Sequence, residues 1–293
     1  MTNFRALIRL SRPLYLLFSS LTYILGVGIN HYLGRALRLE TFGFGLLLVL
    51  SLQVAAFLLT EYFHQPLASL SEGETPRQRE LFRTVMLQVS AAALVLAAAV
   101  TIVLIYARLL HLTSAVLLLA IFLFLVAYAV PPLRLSESGY GELFLAVYFA
   151  TLLPAFSFLL QEDGYHRLLG MTTFPLTLLV LAYLLVLDFP TFAADQKTER
   201  RTLLTRLTWQ RAIPVHHLLV LMAFLLFAAA PILGFPWGLF WPVFLALPFA
   251  GFQIFWLQRI ANGGRTLWVF LTNLSAAVFG VTVYLLAFTF WIR

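Results

Sequence analysis

The stretch FGFGLLLVLSLQVAAFLLTEYF at residues 42–63 is apolar almost throughout and carries its single charge, Glu61, close to its end. A helix needs about 20 apolar residues to cross the roughly 30 Å hydrocarbon core of a bilayer. Only helices and closed barrels satisfy their backbone groups in lipid, and this run lacks the alternation of a barrel strand. The stretch therefore predicts a transmembrane helix.

Eight further runs of the same kind surround it. They cover residues 13–31, 84–107, 112–130, 143–160, 171–189, 214–233, 238–257 and 267–292. The chain of 293 residues is 62% hydrophobic and 11% charged, and a water-soluble domain could not bury that much apolar surface in one core. We predict an all-α polytopic membrane protein of about nine transmembrane helices, folded as one domain over residues 1–293.

The basic residues predict the orientation. An N-terminus in the cytoplasm places residues 1–12, 64–83, 131–142, 190–213 and 258–266 on the inside. These segments contain 14 of the 19 Lys and Arg residues, and cytoplasmic loops carry such an excess. The C-terminus then lies on the opposite side of the cytoplasmic membrane. The net charge of +7 follows from this topology, and no nucleic-acid-binding module is recognisable.

Two carboxylates predict where a site lies. Glu61 and Asp188 each occupy the last turn of an apolar run, where an ionised group is costly unless it is paired or hydrated. Helix C-termini are also unfavourable for negative charge. The placement favours a cation shared by the second and sixth helices. The alternative is that each carboxylate reaches the interface or pairs with a loop arginine.

Three inside segments resemble the UbiA superfamily of intramembrane prenyltransferases. RLSRP at residues 9–13 is similar to the family's start of helix one. YAVPPLRL at residues 128–135, followed by GYGE at 139–142, resembles the Y-x-x-P-P-x-R-L…G-x-G-E segment of the menaquinone-type branch. Residues 195–203 resemble the end of the family's second Asp-rich motif. The resemblance implies nine helices around a central lipophilic cavity, with Asp-rich motifs at the inner ends of helices two and six.

The Asp-rich motifs themselves depart from the family pattern. The family's N-D-Y-x-D corresponds here to TEYFH at residues 60–64, and the second motif corresponds to residues 187–195. Only Glu61 and Asp195 keep an acid at a family position, while Asp188 is displaced by three residues and Glu199 replaces a glycine.

The resemblance implies transfer of a prenyl group from a prenyl diphosphate to an aromatic, quinone-precursor-like acceptor, with Mg²⁺ as cofactor. It assigns the metal to Glu61, Asp188 and Asp195. The expected diphosphate-binding residues are Arg77, Arg79, Lys197, Arg200 and Arg201, and the expected substrate pocket contains Tyr62, His64, Tyr128 and Arg134. The expected partners are the prenyl diphosphate, the lipophilic acceptor and membrane lipid.

Two alternatives remain open at this point. The loss of acids favours a catalytically inactive relative that binds a quinone, pigment or isoprenoid, including as an accessory subunit of a larger membrane complex. A transporter or channel would carry ionisable residues in mid-span, and the charges of this chain fall at helix ends instead.

Overall fold

The fold is described by a computed structural model that covers Leu7 and residues 10–64, 76–198 and 200–293, without the side chains of 76–79. All regular structure within these residues is helical, and nine helices are long and apolar enough to cross a membrane. They are α1 (Pro13–Tyr32), α2 (Leu39–Phe63), α3 (Pro76–Tyr106), α4 (Leu112–Ala129), α5 (Gly141–Gln161), α6 (Arg167–Asp188), α7 (Trp209–Ala228), α8 (Trp237–Ala261) and α9 (Trp268–Ile292). The predicted fold class and helix number are confirmed.

Short helical turns interrupt or connect these spans. A π-helical turn, Tyr148–Leu152, lies inside α5, and a 3-10 turn, Trp241–Ala246, lies inside α8. After α6 the chain makes a 3-10 turn at Phe189–Thr191 and then the short helices Phe192–Lys197 and Leu203–Leu207. These last elements carry the inner loop residues that the sequence singles out.

Two helices begin at least five residues earlier than predicted: α3 begins at Pro76, eight residues before its predicted start at 84, and the seventh helix differs from its predicted bounds of 214–233. It begins five residues earlier, at Trp209, and contains Pro214 in its second turn. The Trp209 ring packs against Phe189 and Trp268, at centroid distances of 4.8 and 5.9 Å, which stabilises the additional turn. The helix ends at Ala228 because Pro231 lacks an amide proton and disfavours helical geometry in the residue before it.

The helices form a central group with an outer layer. α1 contacts α2, α5 and α9, while α6 contacts α5, α7 and α9. α3 and α4 both pack on α2, and α8 packs on α7 and α9. In the apolar windows of the spans, 61% of α1 and of α5 is buried but only 22% of α3, so α3 is a peripheral, lipid-facing helix.

Aromatic side chains fill the middle of the bundle. The Tyr15 ring lies 5.3 Å from Phe149 and 6.4 Å from Tyr183, measured between centroids. Phe18 then contacts Tyr183 at 5.4 Å and Phe279 at 4.9 Å. All five side chains are buried, and their edge-to-face geometry is the favourable one for aromatic pairs. We call Tyr15, Phe18, Phe149, Tyr183 and Phe279 the aromatic stack.

Candidate functional site

A polar cavity of about 210 Å³ lies where α1 begins, α2, α4 and α6 end, and α5 begins. Its lining residues are Arg12, Tyr15, Thr60, Glu61, His64, Tyr128, Ser136, Glu137, Gly141, Glu142, Leu145, Leu184, Leu187, Asp188 and Arg200. The ends of α2 and α6 thus face one space. A second, apolar crevice of about 620 Å³ between α2, α3 and α4 has no charged lining residue.

The α2 side of the cavity is dominated by an ion pair. Nη2 of Arg12 donates to Oε1 of Glu61 at 3.1 Å, and the two side chains are 33% and 25% exposed. The Arg12 guanidinium also lies 5.6 Å from the centre of the Tyr15 ring and 5.3 Å from that of Phe57. Cation–π attraction and the carboxylate together hold the guanidinium at the cavity.

The α6 side contains two neighbouring carboxyl groups. Asp188 interacts with Glu142 at the start of α5, and Oδ2 of Asp188 is buried with no hydrogen-bond partner among the described residues. Oε2 of Glu142 accepts the backbone N–H of Leu203 at 3.1 Å. An uncompensated buried oxygen beside a second carboxyl group favours a cation at this place.

The connection between α4 and α5 closes another side. Arg134 donates to the carbonyl oxygen of Phe63 and to Oε1 of Glu137, both at 2.6 Å. Nδ1 of His64 lies 2.9 Å from the same Glu137 oxygen. One carboxylate therefore joins the end of α2 to this connection.

A second set of contacts joins the α4–α5 connection to the chain after α6. The Arg206 guanidinium donates to the Ser138 carbonyl oxygen at 2.7 and 3.2 Å and lies 4.2 Å above the Tyr140 ring. Gly139 has a φ of +80°, and a Cβ there would overlap Nε of Arg206. The glycine permits both the backbone conformation and the close approach. We call Gly139, Tyr140 and Arg206 the glycine clasp.

The family model of the UbiA prenyltransferase family matches residues 15–274, which include most of the cavity lining. The chain belongs to the UbiA prenyltransferase family. It is accordingly an integral membrane protein of an intramembrane prenyltransferase family.

A solved structure supports the UbiA fold. The structure of a digeranylgeranylglyceryl phosphate synthase in membranes aligns with a TM-score of 0.68 over 100% of both chains, at 12% sequence identity. At that identity the likeness shows the shared fold. The comparison with curated protein sequences found no match.

Several residues that the UbiA resemblance singled out line the cavity. They are Glu61, His64, Tyr128, Asp188 and Arg200. Arg134 lies behind them through its bond to Glu137. Tyr62 instead lies under the Arg83 guanidinium, with 5.0 Å between the guanidinium carbon and the ring centre.

Other predicted residues of the UbiA site lie elsewhere. The Asp195 carboxylate accepts the Thr191 hydroxyl at 2.8 Å and lies 3.5 Å from Arg200, without lining the cavity. Lys197 and Arg201 are exposed outside the cavity. The side chains of Arg77 and Arg79, and the whole of Glu199, lie outside the described residues.

Three charged cavity residues were not predicted for the site: Arg12, Glu137 and Glu142. Two of them lie in segments that carry the UbiA resemblance, RLSRP for Arg12 and GYGE for Glu142. Their location in these segments is the sequence signal that could have identified Arg12 and Glu142 as site residues. Across the part of the chain that the structure describes, no three His, Asp or Glu side chains group closely enough to hold a metal ion by themselves.

Proposed function

We propose that this UbiA protein transfers a prenyl group from a prenyl diphosphate to a lipophilic acceptor within the membrane. One observation carries the proposal: the ends of α2 and α6 line a single cavity that also presents the guanidinium groups of Arg12 and Arg200. Arginine forks match the oxygens of a diphosphate better than any other side chain.

The chemistry needs charge stabilisation above all. The bond between C1 of the prenyl group and the diphosphate oxygen breaks, and its electron pair leaves with the diphosphate. A nucleophilic atom of the acceptor forms the new bond to C1, and the acceptor's proton passes to solvent. Arg12 and Arg200 would stabilise the charge that develops on the leaving oxygen. The exposed Lys197 and Arg201, within three residues of Arg200 in the sequence, would add positive potential near it, which favours arrival of the anion.

We further propose an aromatic, quinone-precursor-like acceptor. The Tyr15 and Tyr128 rings form part of the cavity lining, and rings of an acceptor pack well on such surfaces. The likeness of residues 128–142 to the menaquinone-type branch supports the same acceptor class. The cavity opens at the end that the excess of basic residues predicts to be cytoplasmic, so we place the N-terminus in the cytoplasm and the reaction at the inner face of the cytoplasmic membrane.

Magnesium fits part of the cavity. The unpartnered Oδ2 of Asp188 and the adjacent Glu142 supply two carboxyl groups, and Mg²⁺ usually takes one or two carboxylates together with phosphate oxygens and water. When bound, the ion would neutralise diphosphate charge. Glu61 and Asp195, the other predicted ligands, are engaged by Arg12 and Arg200 respectively.

That engagement favours a second candidate function. Both acids that the chain retains at family motif positions are paired with arginines, as expected of a cavity that has lost catalysis. The protein would then bind a quinone, pigment or isoprenoid without transforming it.

A transfer assay separates the two functions. Purified protein in nanodiscs would receive Mg²⁺, labelled prenyl diphosphates of several lengths, and hydroxylated benzoate and naphthoate acceptors. We expect prenylated product and released diphosphate, with Arg200→Gln at least about tenfold slower because a charge-assisted contact is lost.

Arg265→Gln is the matched control. Arg265 is exposed in the connection between α8 and α9, and its substitution removes the same charge. Absence of product and of released diphosphate in every combination would reject the transferase. A lipophilic molecule that co-purifies with such inactive protein would support the second candidate.

A further inference from the structure

Arg12 lies beside a carboxylate that the family resemblance assigns to a metal ion. Glu61 keeps an acid where the family's first motif has one, and the resemblance assigns that acid to Mg²⁺. In this structure the Glu61 carboxylate instead accepts a hydrogen bond from Arg12 at 3.1 Å. A guanidinium therefore occupies one side of the carboxylate that a metal ion would need.

Arg12 is held in place from several directions. It contacts Glu61 on α2 and the rings of Tyr15 and Phe57. Phe57 is 1% exposed, so this part of the contact is fixed by the bundle core. A flexible surface arginine would lack such constraints, whereas this one is pre-organised for an anion.

The backbone conformation of Arg12 also indicates a functional role. Its φ is +53°, although residues with a side chain rarely adopt left-handed geometry, and it directly precedes Pro13. Arg134, which braces the neighbouring side of the cavity, has a φ of +39°. Two of the four described non-glycine residues with positive φ thus deliver arginines to this site. Such local strain is concentrated at functional sites.

The charges also divide between the two sides of the cavity. At the α2 side, the pair of Arg12 and Glu61 is neutral, and Glu137 is neutralised by Arg134. At the α6 side, Asp188 and Glu142 face each other, with one Asp188 oxygen lacking any described partner. Arg200 also lines the cavity but is paired with Asp195 at 3.5 Å, so carboxyl groups outnumber the arginines at the α6 side.

We infer that Arg12 replaces a divalent cation at the α2 end: its guanidinium contacts the diphosphate, and Glu61 is a positioning residue for Arg12, not a metal ligand. This inference rests on the proposed function and names a binding group within it. A guanidinium has five N–H donors, so the bond to Glu61 leaves others for diphosphate oxygens. The single divalent ion then belongs to Asp188 and Glu142.

The assignment is tested by calorimetric titration of the protein with inorganic diphosphate at a series of Mg²⁺ concentrations. Two quantities are compared. These are the Kd at saturating Mg²⁺ and the Mg²⁺ concentration that gives half of the full affinity. Arg12→Gln should weaken the Kd about tenfold or more without changing the Mg²⁺ requirement, because a charge-assisted contact is removed. Asp188→Asn should raise the Mg²⁺ requirement about tenfold or more.

Glu61→Gln is the decisive variant. It should leave the Mg²⁺ requirement unchanged and the Kd within about threefold, because glutamine still offers an oxygen to Arg12. A rise of tenfold or more in the Mg²⁺ requirement of Glu61→Gln would show that Glu61 is a metal ligand and would overturn the inference, as would an unchanged Kd in Arg12→Gln.

Arg265→Gln again serves as control for charge, and thermal unfolding of each variant checks that it folds. If Arg12→Gln does not fold, Glu61→Gln and Asp188→Asn still decide the metal assignment. Absence of diphosphate binding by the unaltered protein at every Mg²⁺ concentration would reject the proposed function together with the inference. If Glu61 proves to bind the metal in a protein that forms prenylated product, the inference is rejected and the proposed function stands.

Discussion

Gly139 shows how one residue can determine the position of a loop at the site. Its positive φ lets the chain turn between Ser138 and Tyr140, and the missing side chain leaves room for Arg206. The Arg206 guanidinium then connects the α4–α5 connection with the chain after α6. Both segments contribute residues to the cavity, so the glycine clasp fixes part of the cavity wall.

Gly139→Ala should destabilise the protein more than Gly263→Ala. The two glycines have nearly equal φ, +80° and +85°, so both substitutions incur similar backbone strain of about 1 kcal/mol. Only at Gly139 would the new Cβ displace Arg206, whereas nothing lies within 4 Å of a Cβ at Gly263. The lost hydrogen bonds add about 1 kcal/mol, and thermal unfolding in detergent would measure the difference. Equal unfolding temperatures would contradict the role of the clasp.

Individual site residues could be predicted only in part from the sequence. Glu61 and Asp188 stood out because a carboxylate at the end of an apolar run is costly. Arg12 did not, because its partner Glu61 is 49 residues away and the pairing depends on how α1 packs near α2. Asp195 matches a family position, but a 3-10 turn separates its short helix from α6, and its carboxylate bonds Thr191 instead.

At the scale of elements, α1 and α5 pack closely at Gly26. A Cβ at Gly26 would overlap Oγ of Ser157 and the backbone oxygen of Pro154. Small residues permit such approach between membrane helices, where packing and not the hydrophobic effect drives association. The contact holds α1, and with it Arg12 and Tyr15, against the helix that carries Glu142.

Gly26→Ala should therefore destabilise the protein by about 1–3 kcal/mol, because a backbone oxygen cannot move aside as a side chain can. Gly251→Ala in α8 is the matched control, since nothing lies within 4 Å of its Cβ. Alanine favours a helix over glycine, so that control should be neutral or slightly stabilised. Unfolding curves of the two variants in the same detergent test this expectation. Similar stability of both would mean that α1 and α5 are less closely packed than described.

The spans themselves were the most predictable elements. Leucine-rich runs define their centres, and all nine predicted segments overlap the observed helices. Seven of them differ by at most four residues at either end, whereas α3 begins eight residues and α7 five residues earlier than predicted. The seventh helix begins earlier than predicted because proline favours the first turn of a helix, so that Pro214 predicts a start, while the ring contacts of Trp209 with Phe189 and Trp268 keep the preceding turn helical. Such a tertiary contact has no local sequence signal.

For the whole molecule, the sequence contains no cysteine, so single introduced thiols report orientation without background. Asn262→Cys lies in the α8–α9 connection, and Tyr165→Cys lies between α5 and α6, where Tyr165 is 69% exposed. We expect a membrane-impermeant maleimide to label only Tyr165→Cys in intact cells, with Asn262→Cys reacting after the membrane is opened. Labelling of Asn262→Cys from outside would reverse the proposed orientation and move the cavity to the other face.

The aromatic stack has a consequence for how a long substrate would be accommodated. The polar cavity, at about 210 Å³, is smaller than the roughly 300–1,000 Å³ of pockets that enclose a drug-sized ligand, and buried rings occupy the bundle beyond it. An isoprenoid tail attached to a diphosphate in this cavity would extend sideways between helices and remain dissolved in the bilayer. Saturation would then follow the mole fraction of substrate among the lipids, and diluting the vesicles with more lipid at constant substrate would slow the reaction.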